Sequence, residues 1–320
     1  MKLSTPRRLC IAAMIGCIAA VIGCWINYRH GNLAGDLYYP VCGSFELLQN
    51  SHVDLLDGKT CDMPGYPPNP PTTVYAVLPF VALFGAVSGI FIFGLGSGLL
   101  AYLLLRDGPP WRLLLFCSAP YAIAMQWLQW SPLMTAVYLL PGLLPLTLVK
   151  PQIGLPVALL KMTWRRAIAC AAVVIATLVL DPTWPLRFYP LAQRYSGFIP
   201  LATLPVGLLI LLAVLRWREE RARLLLLMAA VPQRGWYDLS LLWLVPQTWQ
   251  EMLILTLLSW VSFISTRLLG IPYQVPIIVC IYLPALVMVM RQPQTSHGAL
   301  SSESLHWFQG KWQAVRGKQG

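Results

Sequence analysis

The chain alternates between long uncharged apolar runs and short polar or basic stretches. The runs are Leu9 to Ile26, Thr72 to Leu105, Leu113 to Val149, Ala167 to Leu180, Leu201 to Leu215, Leu239 to Val245, Met252 to Thr266 and Ile271 to Met290. A helix that crosses a hydrocarbon layer needs roughly 20 apolar residues at about 1.5 Å rise each. The pattern therefore predicts an all-α polytopic membrane protein with about nine to ten transmembrane helices and a few short surface or re-entrant helices. Thr72 to Leu105 is too long for one straight crossing. It divides into a short apolar helix to Phe84 and a span from Ala86 to Leu105, where Gly94, Gly96 and Gly98 permit close helix contact. Leu113 to Val149 breaks at Gln126-Trp127-Leu128-Gln129-Trp130-Ser131-Pro132, whose tryptophans and amides mark an outer interface. Pro151 to Leu160, bracketed by Lys150 and Lys161, is too short to cross and reads as a re-entrant or surface piece.

Charge orients these runs. Arg7 and Arg8 precede the first, and Arg106, Arg112, Lys161, Arg165, Arg166 and the stretch Arg216 to Arg223 separate later ones. Basic residues are retained on the cytoplasmic side, so both termini are expected inside, in a cell (inner or plasma) membrane. Asn27 to Thr72, Asp181 to Ile199 and Val231 to Asp238 are then outer loops. Residues 1–290 read as one integral-membrane domain. Residues 291–320 read as a basic, disordered cytoplasmic tail. With 57% hydrophobic and 11% charged residues there is no room for a soluble domain. The net charge of +11 does not point to nucleic acid, because the basic residues fall in short clusters without a continuous basic face. No short-period repeat supports a solenoid.

The first outer loop stands apart in this basic protein. It holds Asp36, Glu46, Asp54, Asp57 and Asp62 against Arg29 and Lys59. Asp36 follows the first helix directly and precedes the pair Tyr38-Tyr39, which is where a carboxylate can act at the membrane surface on a lipid-borne substrate. Ser44 is expected to cap a short surface helix from Phe45 to Asn50 that frames Asp36. Cys42 and Cys61 are the two of eight cysteines outside the expected spans, on the side where disulfides persist, and are expected to be bridged. The other six lie in apolar runs at no metal-ligand spacing, so no metal site is implied. Pro64 to Pro71 reads as an extended strap. The first helix also resembles a signal peptide, and Val21-Ile22-Gly23-Cys24 resembles a lipoprotein box. That box lacks its usual Leu, and the helix is read as an uncleaved anchor.

Several short motifs, taken in order, resemble glycosyltransferase family 87, a branch of the GT-C superfamily of membrane enzymes. They are Asp36-Leu37-Tyr38-Tyr39, the Tyr66 to Pro71 strap, Gln129-Trp130-Ser131-Pro132, Lys150-Pro151-Gln152, and Pro232 to Pro246 ending in Leu-Leu-Trp-Leu-Val-Pro. The resemblance spans residues 7–290. The chain departs from the family at Leu128, where a Gly usually precedes the Gln, and in the stretch after Pro232, where Tyr237-Asp238 stand near the place of a frequent histidine. It is also short for the family.

The resemblance implies GT-C-like outer loops and transfer of a sugar, mannose or a similar hexose or pentose, from a polyprenyl-phosphate donor to a glycolipid or envelope glycan on the outer face. Membrane lipids are the remaining partners, and no cofactor is implied. Such a donor carries its own leaving group, so the enzyme needs a base for the acceptor hydroxyl and cations for the departing phosphate. Asp36 is the candidate base. Arg187, Arg194 and Arg234 are candidate phosphate partners, and Gln129, Tyr237, Asp238, Tyr38 and Tyr39 are candidate sugar contacts. Each also has a structural reading. Acids at helix ends are solvated, aromatic residues anchor at interfaces, arginines bind lipid headgroups, and Gln129 satisfies backbone at a helix break. A transporter of lipid-linked sugars and a non-catalytic partner in envelope assembly are the rival functions.

Overall fold

The structure, a computed structural model, describes residues 3–29, 35–50, 53–57, 61, 69–194, 197–233 and 235–291. Arg234, Tyr195, Asp62, residues 64–68 of the strap and residues 292–320 of the tail lie outside the described residues. Every regular element among those described is a helix, and extended pairing is limited to one bridge between Phe198 and Gln233. In hydrocarbon an unpaired backbone amide has no water to turn to, which selects helices for the apolar runs.

Helix α1 (Thr5–Arg29) presents a stripe of small residues, Ala12, Gly16, Ala19 and Gly23, to the protein interior. After a 3-10 turn at Gly35–Leu37 comes α2 (Tyr38–Gln49), followed by α3 (Pro71–Phe84) and α4 (Ser88–Asp107). Helix α4 packs along α1 at backbone distance. A Cβ placed on Gly16 would lie 2.8 Å from the Gly94 carbonyl oxygen, and one on Gly98 would lie 3.2 Å from that of Ala12. Gly96 faces the other way, onto Leu133. Helices α3 and α4 are joined by a 3-10 turn at Gly85–Val87, where Gly85 has φ of +59°. The Ser88 hydroxyl clasps the break by donating to the Phe80 carbonyl.

The 3-10 segment Pro110–Cys117 leads to α5 (Ala119–Gln126), capped by Ser118, and the turn at 127–130 leads to α6 (Ser131–Leu139). A second 3-10 segment, Pro141–Val149, leads to α7 (Pro151–Lys161) and α8 (Trp164–Leu180). Helix α8 bends by 107° into α9 (Trp184–Gln193). The 3-10 segment Val206–Arg216 and α10 (Glu220–Ala230) bring the chain to the 3-10 segment Tyr237–Leu244, whose residues 238–243 are all buried. Helix α11 (Trp249–Leu269) starts with a Thr248/Glu251 capping box. Helix α12 (Gln274–Ile277), a π turn at Ile278–Tyr282 and α13 (Leu283–Arg291) follow.

The buried Tyr237–Leu244 segment packs against α5, α6 and α10 and reaches α11. The Ser240 and Thr135 hydroxyls lie 3.0 Å apart, and the Trp243 indole donates to the Thr256 hydroxyl at 3.1 Å. The exterior is apolar: Met14, Ile18, Val21, Val179, Leu257 and Leu268 are all exposed. An apolar exterior around a core with paired polar groups is the distribution a bilayer stabilises.

Four helical stretches among the described residues are long and apolar enough to cross a membrane: Thr5–Arg29, Pro71–Asp107, Trp249–Leu269 and Gln274–Arg291. The bent pair α8 and α9 makes a fifth if it counts as one span. The sequence reading of nine to ten assigned crossings to apolar runs whole or divided. Internal prolines such as Pro145, and prolines opening new segments such as Pro120, Pro132 and Pro141, divide these runs into short pieces. The surface-helix expectation also shifts. Helix α2 begins at Tyr38, and Ser44 is not its cap but lies buried inside it, donating to the carbonyls of Pro40 at 2.7 Å and Val74 at 2.9 Å.

Candidate functional site

Two segments distant in sequence meet at the end of α1. The Asn27 amide donates to the Gly23 carbonyl at 2.8 Å and to that of Gln126 at 3.1 Å, so the end of α1 is fastened to the end of α5. A few residues on, the Asp36 N–H donates to the Trp127 carbonyl at 2.8 Å. Gly35 makes this approach possible. It has φ of +54°, and a Cβ there would lie 2.4 Å from the Trp127 oxygen.

The turn at 127–130 is tight. Leu128 has φ of +46°, a region that L side chains rarely adopt, and it occupies the position where the family resemblance expects glycine. Its buried side chain lies on Gly23 of α1, so packing holds a backbone conformation that glycine would adopt more readily. The Gln129 N–H returns to the Ala124 carbonyl at 2.8 Å. This geometry turns the Gln129 side chain onto Asp36.

Gln129 donates through Nε2 to Asp36 Oδ2 and accepts at Oε1 from Lys150 Nζ. The amide has one sensible orientation here. A carboxylate only accepts and an ammonium only donates, so reversing the amide would set oxygen against oxygen and NH2 against NH3+. Lys150 Nζ also lies 3.4 Å from Asp238 Oδ1 and 4.6 Å from the centre of the Tyr237 ring. Gln129, Lys150 and Asp238 are buried, and Asp36 is half-buried at the outer end of the chain of contacts.

Lys150 was not among the site residues expected from the sequence, where it bracketed a short segment and opened the Lys150-Pro151-Gln152 motif of the resemblance without a role of its own. It is 4% exposed. Two elements hold it there. Thr72 and Thr73, at the start of α3, donate their hydroxyls to the Leu148 and Val149 carbonyls at 2.8 Å each. Pro151 then starts α7, and the Lys150 carbonyl accepts from the Gly154 N–H at 2.8 Å. A lone cation closing the uncharged stretch 113–149, just before a proline that opens a helix, was the available signal.

The structure thus brings together Asp36, Gln129, Tyr237 and Asp238 of the sequence-derived candidates and adds Lys150. It holds others elsewhere. Arg187 is engaged by Asp54 through Nη1 and by Asp181 through Nη2, which ties α9 to the acidic loop. Arg194 is exposed at the end of α9. Tyr38 is exposed, whereas Tyr39 is buried against Leu55, Cys61 and Val74. Burial, reinforced by Asp54 and Asp57, raises the Tyr39 phenol above its ordinary pKa and keeps it protonated. Cys42 and Cys61 form a disulfide with Cα atoms 6.0 Å apart, joining α2 to the later part of the loop. Among the described residues no cluster of His, Cys, Asp and Glu is placed to hold a metal ion.

Chemically, this arrangement is a half-buried carboxylate at the end of a membrane helix, fixed through an oriented amide to a buried ammonium that a second carboxylate balances. Compared with known proteins, the chain matches no family model, no curated relative and no solved structure.

Proposed function

We propose that this membrane protein is a GT-C-type glycosyltransferase that moves a sugar from a polyprenyl-phosphate donor to a glycolipid or envelope glycan on the outer face, with Asp36 as general base. The observation that carries the reading is the Asp36–Gln129–Lys150 chain of contacts at the end of α1. A base for an acceptor hydroxyl must be ionised, partly desolvated and fixed in place. Asp36 is fixed twice, by its own N–H on Trp127 and by its carboxylate on Gln129. When the acceptor hydroxyl attacks the anomeric carbon, its proton passes to Asp36 Oδ1 or Oδ2 while the sugar–phosphate bond breaks and polyprenyl phosphate leaves. Lys150 is the cation joined to this carboxylate through Gln129, and it opposes negative charge that builds on the leaving group. Arg187, engaged by two carboxylates, is the weaker candidate for that role. Tyr237 and Asp238 stand beside Lys150, where an aromatic ring and a carboxylate suit a sugar.

One observation favours a second reading as a transporter of lipid-linked sugars: the ion pair of Lys150 and Asp238 is buried inside the helical assembly, as ionisable residues along a transport route are. The experiment that separates the two incubates purified protein with a panel of polyprenyl-phosphate sugars and acceptors and measures release of polyprenyl phosphate. Release that depends on Asp36 supports the enzyme. Movement of the intact donor between leaflets without release supports the transporter and overturns the enzyme reading.

A further inference from the structure

Helices α1 and α4 meet at backbone distance, and small residues leave a gap beside that contact. The helices run antiparallel, with Gly16 set against Gly94 and Ala12 against Gly98. The gap is a groove of about 520 Å3, lined by Leu9, Ala13 and Cys17 of α1 and by Phe91, Leu95 and Leu99 of α4.

The groove has definite ends. It runs from Leu9 to Ala20 on α1 and from Tyr102 back to Phe91 on α4, about 16 Å at the rise of an α-helix. Past Ala20 the stripe on α1 is covered, because Met125 and Leu128, from the end of α5 and the turn after it, lie on Gly23. Phe91 stands at this closed end and stacks on Phe84 with ring centres 4.0 Å apart. At the other end is Arg8, one turn before Ala12 on the same stripe of α1. Arg8 is half-buried, and its Nε is buried with no hydrogen-bond partner among the described residues. The acid at this end of α4, Asp107, gives both carboxylate oxygens to Arg106. No carboxylate among the described residues pairs with Arg8.

We propose that the groove seats one acyl chain of an anionic phospholipid from the leaflet at the start of α1, with the lipid phosphate on Arg8. The hydrocarbon layer is about 30 Å thick, so the groove is as deep as one leaflet. A second membrane helix would need a seam about twice as long, and the cover on Gly23 interrupts it. An apolar gap gives water no partners, and left empty it forfeits dispersion contacts that a flexible chain supplies. The Arg8 guanidinium suits phosphate oxygens as a donor. This site does not depend on the proposed transfer reaction and is tested without it.

The experiment is native mass spectrometry of the purified full chain in detergent, titrated separately with phosphatidylglycerol, phosphatidylcholine and glycerol 3-phosphate. Wild-type protein is expected to retain phosphatidylglycerol over phosphatidylcholine, whose choline offsets the phosphate charge, and not to retain chain-free glycerol 3-phosphate. Ala13 and Cys17 are exposed, so A13F/C17F fills the groove without entering the contact between the helices. It is expected to weaken retention of phosphatidylglycerol by at least about 10-fold, the equivalent of two methylene groups kept out of an apolar site. M14F/I18F adds the same rings elsewhere on the exposed surface of α1 and is expected to bind as wild type does. R8Q is expected to weaken retention by about 10-fold, the size of one lost charge-assisted hydrogen bond, and R8K to recover part of it. R7Q removes the same charge from an exposed neighbour and is expected to leave retention unchanged. A second measurement needs no variant. Phosphatidylglycerol carrying a diazirine in its acyl chain is expected to crosslink to residues 9–20 and 91–102 in preference to the exposed faces of α8 and α11. Crosslinks spread evenly over those faces, equal retention by A13F/C17F and M14F/I18F, or a loss in R7Q as large as in R8Q would overturn the proposal. So would glycerol 3-phosphate bound as tightly as the lipid, or a dimer of the chain in place of bound lipid.

Discussion

Asp36 is one of several acids in its loop, and what distinguishes it is the company its carboxylate keeps. Replacing it with Asn preserves shape and removes basicity. Transfer is expected to fall by at least about 100-fold, the lower range for general-base catalysis, with donor binding and protein yield near wild type. Asp57→Asn changes an exposed acid of the same loop and is the control. Comparable loss in both would assign the effect to loop charge, and near wild-type transfer by Asp36→Asn would remove the base assignment. Lys150 and Asp238 form the deeper pair. Removing one partner of a buried ion pair typically costs about 3–5 kcal/mol, because the other charge is left unbalanced. Lys150→Met alone is therefore expected to lower the thermal unfolding temperature more than the double variant Lys150→Met/Asp238→Asn does. Additive losses in this pair of measurements would show that the two residues are not coupled.

Close approach of backbones, more than any side chain, sets the geometry between elements. The turn before α2 reaches the turn between α5 and α6 only because Gly35 has no Cβ. In Gly35→Ala, the left-handed backbone costs about 1–2 kcal/mol before any clash with the Trp127 oxygen is counted. The expected result is a protein whose helical content is unchanged while transfer is lost and the loop after α1 becomes sensitive to protease. Unchanged transfer would mean that Asp36 does not need its fixed position. A second constraint on this region is the Cys42–Cys61 disulfide, with a sequence separation of 19 residues. Closing a loop of that size typically adds about 3 kcal/mol in the chain-entropy account. Protein from an oxidising compartment is expected to show the linked peptides by mass spectrometry under non-reducing conditions, and two free thiols would contradict the bridge.

At the scale of the whole molecule the central expectation is orientation. Single cysteines introduced in residues 27–72, 181–199 and 233–238 should react with an impermeant reagent from outside, and one beside Arg218 should not. Outside labelling next to Arg218 would reverse the assignment of faces and place Asp36 on the cytoplasmic side. The apolar runs by themselves determined that the chain is helical and built for a membrane, because backbone amides in hydrocarbon must pair within their own segment wherever they end up. The polar break near Gln129 and the isolation of Asp36 were legible for the same reason: a polar residue stands out when everything around it is apolar. Lys150 was not legible as a site residue. Its sequence neighbours mark the end of a run and a short motif of the resemblance but give the lysine no role, and its partners Gln129, Asp238 and Tyr237 come from segments 21 residues before it and more than 80 after it. The number of full-length spans was not legible either, since a proline in an apolar run allows a kinked helix, a broken one or two short pieces. Tertiary structure decided both, because only packing selects which of these breaks occurs and which distant polar groups balance a buried charge.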